Sequence, residues 1–206
     1  TTTYDAAGQV LASTDARGNV TGYEYDAAGR RSKVTDAAGA ATLFTYDALG
    51  NQIQVTDANA HSVGFQYDAS NRRTRTTYAD GTFDQVSYDA LGRQTAKTDQ
   101  AGKTTQFAYD ALGRLTSVTD ALGQITRYGY DEQGNQLTQT DAEGRTTSFA
   151  YDRMGRRIKR TLPLGQSETF SYDAAGNLRT KTDFNGRTTT YTYDTVNRLT
   201  RKTPDG

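Results

Sequence analysis

Tyr109-Asp110-Ala111-Leu112-Gly113-Arg114-Leu115-Thr116-Ser117-Val118-Thr119-Asp120-Ala121-Leu122-Gly123-Gln124-Ile125-Thr126-Arg127-Tyr128-Gly129 is the stretch that decides the fold. It holds two Asp-x-x-Gly segments, Asp110 to Gly113 and Asp120 to Gly123. Aspartate at the first place of a type I turn accepts bonds from the local backbone, and glycine at the fourth place tolerates the positive φ that a bulged hairpin requires. The two runs between the turns are rich in Leu, Thr, Val, Ile and Tyr, residues that favour strands. One stretch therefore predicts two strands and two tight turns.

The same stretch recurs along the whole chain. Tyr-Asp occurs as Tyr4-Asp5, Tyr25-Asp26, Tyr46-Asp47, Tyr67-Asp68, Tyr88-Asp89, Tyr109-Asp110, Tyr130-Asp131, Tyr151-Asp152, Tyr172-Asp173 and Tyr193-Asp194, always 21 residues apart. Nine full repeats cover residues 4–192 and a partial tenth covers 193–206, so residues 1–206 read as a single array. The end repeats, YDAAGQ and YDTVNR, are ordinary ones, and the array is expected to be a piece of a longer one. Gly29, Gly50, Gly92, Gly113, Gly134, Gly155 and Gly176 take the fourth place of the first turn, and Asn71 and Asn197 replace glycine there.

We number positions from the tyrosine as 0. Position 19 is apolar in every full repeat: Tyr23, Phe44, Phe65, Val86, Phe107, Tyr128, Phe149, Phe170 and Tyr191. Position 17 is usually threonine, and the next tyrosine follows two residues after position 19. A two-residue period puts threonine, aromatic and tyrosine on one face of the return strand. The outgoing strand is less regular, its apolar residue falling at position 6 (Leu115, Leu178, Leu199) or 7 (Ile53, Leu137, Ile158), so its buried face is not fixed.

Composition narrows the function. The 206 residues carry 24 basic and 24 acidic side chains, which removes a whole-chain electrostatic case for nucleic acid or anionic membrane. There is no cysteine, hence no disulfide and no thiolate site, and no run reaches the roughly 18 apolar residues of a membrane span. Seventeen of the acids open turns, and 18 of the bases lie on outgoing strands, which reads as strand solubility plus turn–strand ion pairs. His61, the single histidine, occupies a strand start and has no partner set for a triad. Paired carboxylates for glycoside hydrolysis should be unique, whereas these recur, and one carboxylate per turn is far from the six to eight oxygens of a calcium site. No catalytic, metal or cofactor site is expected. Tyrosine ladders can stack on sugars, which keeps a glycan-binding or receptor-binding surface as the alternative function.

Continuous tight turns predict an all-β chain of tandem hairpins in one curved or spiralling antiparallel sheet. The alternative is a two-sided β-solenoid with one coil per repeat. A propeller with two repeats per blade also fits the length, but no alternation at 42 residues is read to support it. Two repeats depart from the pattern: Tyr78 stands where the second turn's aspartate belongs, and Thr161-Leu162-Pro163-Leu164-Gly165 replaces that turn in the eighth. Local irregularity without function is expected at both. Pro204-Asp205-Gly206 reads as an ordinary turn.

The Tyr-Asp-x-x-Gly-Arg unit with its Thr-Asp-x-x-Gly second half resembles the YD repeats, also called Rhs repeats, over the whole chain. That resemblance implies the repeats of bacterial Rhs polymorphic toxins, C components of insecticidal toxin complexes, wall-associated proteins and teneurins. It implies a strip of hairpins spiralling into a hollow shell, secreted or at the cell surface. Its partners would be flanking repeats and a core segment of the same polypeptide, with an enclosed C-terminal toxin. The D-P-x-G core segment of Rhs proteins is not in this sequence.

Overall fold

Turn chemistry sets the architecture. In the first turn of the representative repeat the Asp110 carboxylate accepts from the backbone amides of Leu112 and Arg114, both at 2.9 Å. The Gly113 amide donates to the Asp110 carbonyl, the Asp110 amide to the Arg114 carbonyl, and Gly113 takes φ 83°. The chain reverses and the next strand begins. The computed structural model describes residues 1–205, and in them this event repeats between every two consecutive strands from β1 (Thr2–Tyr4) to β20 (Leu199–Pro204). No helix occurs among the described residues.

The chain divides into two units, residues 1–104 and 105–206. In the first, β1 to β10 (Gln94–Thr98) pair consecutively; in the second, β11 (Thr104–Tyr109) to β20 do the same. Each described pairing is antiparallel, which excludes the solenoid layout, where neighbouring coils run parallel.

The two hairpins of a repeat differ. β12 (Leu115–Thr119) and β13 (Ile125–Tyr130) pair in plain register, Val118 opposite Thr126 and Thr119 opposite Ile125. Between β11 and β12 the register slips by one: Phe107 faces Val118, but Tyr109 faces Leu115. Directly opposed residues share a face. Phe107 and Tyr109 are two apart and agree in face, whereas Leu115 and Val118 are three apart and would disagree under plain alternation. A β-bulge on the outgoing strand restores agreement. It recurs in every first hairpin, as at Ala150/Tyr151 and Ser171/Tyr172. This explains the irregular outgoing strand. Position 6 is on the ring face and Leu115 and Leu178 are half-buried there, with Leu199 exposed on the last described strand, while Ile53, Leu137 and Ile158 at position 7 are exposed.

Tyr78 and Leu162 do not disturb the backbone. The Tyr78 amide donates to the Thr82 carbonyl at 2.9 Å and the Leu162 amide to the Gln166 carbonyl at 2.8 Å, the same bonds the aspartate turns make. The expected irregularity is therefore absent, because the turn's backbone bonds hold without the aspartate. At Tyr78 the carboxylate of Asp80 takes over, accepting from the Thr82 amide at 2.9 Å. Pro163 sits at the second place of its turn, where no amide is needed. Pro204 is not in a turn: it ends β20 opposite Thr189, at a sheet edge where proline is tolerated. Gly206 of that expected turn lies outside the described residues.

Among the described residues no apolar side chain is buried, and Glu168, at 5% exposure, is the one buried side chain. The rings are half-covered by their neighbours on the sheet, so each contributes less than the roughly 1.5–3 kcal/mol of full burial. Cohesion rests on the strand ladder and on contacts that tie each repeat to the next.

Candidate functional site: the tyrosine–aspartate rim

The first turns carry those ties. The bulge leaves the position 6 carbonyl in a disrupted part of the ladder. In the repeat that follows, the position 0 tyrosine reaches it. The Tyr130 hydroxyl donates to the Leu115 carbonyl at 2.9 Å, and Tyr25, Tyr46, Tyr67, Tyr88, Tyr172 and Tyr193 make the same bond to Val10, Arg31, Gln52, Arg73, Arg157 and Leu178 at 2.9–3.3 Å. Burial holds the Tyr130 phenol above the usual range. Tyr4 is 60% exposed.

The aspartate that follows each tyrosine holds its own turn and one side chain. Where position 5 is arginine, its Nε donates to that aspartate: Arg30 to Asp26, Arg72 to Asp68, Arg93 to Asp89, Arg114 to Asp110, Arg156 to Asp152 and Arg198 to Asp194, at 2.6–2.8 Å. The guanidinium then reaches the next repeat. Arg30 Nη1 donates to the Asp47 carbonyl at 2.8 Å and Arg114 Nη1 to the Asp131 carbonyl at 2.6 Å. Four guanidiniums also lie over the next repeat's tyrosine ring: Arg30 over Tyr46, Arg72 over Tyr88, Arg114 over Tyr130 and Arg156 over Tyr172, at 4.5–4.9 Å. Asparagine at position 5 bridges where the next repeat has asparagine in place of the turn glycine. Asn51 donates to Asp47 and to the Asn71 side chain, and Asn177 to Asp173 and to that of Asn197.

These bonds favour the ionised carboxylates. The backbone amide of Arg114 and then its side chain hold Asp110 below the ordinary carboxylate value, and the amide and side chain of Arg198 do the same for Asp194. For Asp47, Asp131 and Asp173 the asparagine side chain is the leading cause. Asp5 and Asp89 complete the rim. The acids are thus spent as acceptors within their own turns. His61 is exposed, its Nδ1 3.2 Å from Asp57. Among the described residues no three His, Cys, Asp or Glu side chains come close enough to hold a metal.

A sequence profile of the Teneurin YD-shell family matches residues 1–162 and 83–203. The chain belongs to the YD-shell family. No curated protein matches it in sequence. Among solved structures, a TcdB2-TccC3-Cdc42 crystal structure is similar over 99% of the chain at TM-score 0.63 and 16% identity. TcdB2-TccC3-TEV gives 0.59 at 15%, and TcdB2-TccC3 without its hypervariable C-terminal region gives 0.54 at 19%. At such identities the likeness is one of fold. This YD-shell chain spans 14–15% of the length of those chains.

Strand pairing brings the aromatic positions of the YD-shell repeats to one face. Tyr23, Phe44, Phe107, Tyr128, Phe149, Phe170 and Tyr191 lie opposite Val34, Val55, Val118, Gln139, Arg160, Lys181 and Lys202, and Phe65 opposite Thr76. Gly29, Gly50, Gly92, Gly113, Gly134, Gly155 and Gly176 all have φ between 74° and 91°.

Sequence reasoning missed two things here. Position 5 alternates at 42 residues in the second unit alone, as Arg114, Asn135, Arg156, Asn177 and Arg198; in the first unit Gln9, Arg30, Asn51, Arg72 and Arg93 do not alternate. Reading that column alone would have shown it. The alternation lies at the turns, where arginine and asparagine both hold the turn aspartate, and it does not divide the strands into blades. The turn–strand ion pairs were expected; the second miss is that the position 5 arginine also reaches the next repeat, for which its fixed place beside the turn glycine was the available signal.

Proposed function

We propose that this chain is a non-enzymatic wall segment, one part of a single longer YD-repeat array, in a secreted or cell-surface protein whose shell encloses a C-terminal toxin. The observation that carries the reading is the rim ladder. Repeats satisfy their neighbours' bulge carbonyls, and arginines at four places their neighbours' turn carbonyls, so the wall is extended by adding units, and the turn-opening aspartates serve as acceptors within their own turns. The family supports a structural shell, and the TcdB2-TccC3 structures support the toxin context. No helix among the described residues is long and apolar enough to cross a membrane.

The test uses the full-length polypeptide that contains these repeats. Limited proteolysis is followed at the C-terminal region, first with the shell folded and then after mild denaturant. Protection that disappears together with the β-sheet signal is the expected result. A C-terminal region digested equally fast in both states refutes enclosure. Turnover of any substrate by the isolated repeats refutes the non-enzymatic reading.

A further inference from the structure

The ring face of the second unit changes character along its length. In its sixth and seventh repeats the residues opposite the rings, and the threonines beside them, are neutral: Leu115, Val118, Thr126, Gln136, Gln139 and Thr147; the cation over the Tyr130 ring, Arg114, is paired with Asp110. From the eighth repeat on, Leu178 and Leu199 face Tyr172 and Tyr193, and the other ring partners are cations. Arg157 faces Tyr151, Arg160 faces Phe149, Lys181 faces Phe170 and Lys202 faces Tyr191. The lone acid among them is Glu168, directly opposite Arg160.

Glu168 does not offset this charge toward solvent. It is the buried residue of the sheet, its two oxygens 3.7 Å from Arg160 Nη1 and 3.2 Å from Lys181 Nζ. One carboxylate is shared by two cations, and Arg160 Nε is buried without a hydrogen-bond partner. Arg157 and Lys202 are exposed and form no ion pair among the described residues. Four cations against one acid leave a formal excess of three. The cations are interleaved with rings: Arg157 lies 5.2 Å from the Phe170 centroid, Lys181 5.6 Å from Phe170 and Lys202 6.0 Å from Tyr191. The other face of the same strands presents mainly Thr, Ser and Ala opposite Lys159 and Arg201.

We propose that the ring face of residues 149–202 is a docking surface for an acidic polypeptide segment. Charge complementarity selects the partner. Half-covered rings supply apolar contact, and under-compensated cations between them supply sites for carboxylates, so a chain bearing both apolar and acidic side chains fits both. A nucleic acid would need ring faces open for stacking and a basic chain to attract it, whereas these rings are partly covered and the whole chain is neutral. The proposal goes beyond the shell reading and needs only the face itself.

The test is fluorescence anisotropy of the full 206-residue chain with labelled poly-L-glutamate of about 20 residues and, separately, labelled oligo-dT. Saturable binding of poly-L-glutamate that weakens with salt is expected, since exposed charges are screened over about 10 Å at 0.1 M. Arg157→Glu/Lys202→Glu should weaken it at least about tenfold. Both sites are exposed, and neither ion-pairs with Glu168, so the fold is spared. Lys159→Glu/Arg201→Glu makes the same charge change on the opposite face and should cost less than about threefold. Absence of binding by the unmodified chain, equal losses in the two variants, or oligo-dT bound as tightly as poly-L-glutamate each overturns the proposal. Enclosure of a toxin can fail in the proteolysis experiment without touching this outcome.

Discussion

Replacing Tyr130 by phenylalanine removes one oxygen and leaves the ring under Arg114. The lost atom is the donor to the Leu115 carbonyl at 2.9 Å, in a part-buried setting. A net hydrogen bond is worth about 0.5–1.5 kcal/mol, and an acceptor stranded away from water costs about 1–3 kcal/mol. The bulge carbonyl is partly reachable by water, so the expected cost is near the overlap, about 1–1.5 kcal/mol. Tyr46→Phe breaks the equivalent bond to Arg31 where it is exposed, and should cost about half as much. Tyr4→Phe is the control: Tyr4 is 60% exposed, and its hydroxyl has no partner among the described residues. Urea unfolding followed by circular dichroism gives the three midpoints. Equal losses for Tyr4→Phe and Tyr130→Phe, or no loss for Tyr130→Phe, would refute the view that the repeat tyrosines act through their hydroxyls.

Turn carboxylates such as Asp110 and Asp194 are held below their ordinary value in the folded chain, so their stabilisation is present above that value and is lost as pH falls through it. The urea midpoint should be flat from about pH 5 to 8 and drop as pH goes from about 4 toward 3; a midpoint that rises on acidification contradicts the assignment. Ala60 is held at φ 62° in the place other turns give to glycine, so Ala60→Gly should raise stability by up to about 1 kcal/mol, read as a higher melting temperature. Deleting residues 151–192, two whole repeats, keeps both the strand direction and the arginine–asparagine alternation and should leave a soluble folded chain. Deleting 152–161 removes a single strand and reverses all that follow, so it should aggregate through mismatched edges; equal soluble yields would count against the hairpin repeat.

Strand count, turn placement and the aromatic face were legible because each depends on near neighbours: Asp110 and Gly113 are three residues apart, and Phe107 and Tyr109 two. The bulge was not legible, because Leu115 at position 6 and Ile53 at position 7 look alike until pairing tells them apart. The turn at Leu162 lacks its aspartate yet keeps its backbone bonds, so a missing signature residue was a weaker signal than the array around it. Glu168 could be read as an odd residue in a threonine column; its burial depends on Arg160 and Lys181, which come from two other strands. The rim contacts were missed for a related reason. Tyr130 and Leu115 belong to different repeats, and nothing inside one repeat says that a hydroxyl must serve its predecessor.

The hydrogen bonds that join repeats at the rim span 15, 17 or 20 residues, never more than one period. The tyrosine bonds have a direction: the later repeat supplies the donor and the earlier one the acceptor. A growing chain can therefore lock each repeat onto the one before it as soon as its tyrosine emerges, without waiting for distant sequence. Such local closure keeps the entropy of each step small and the assembly fast for a β-protein. The bulge carbonyl still awaiting a donor is then always that of the newest repeat, and the next tyrosine to emerge serves it.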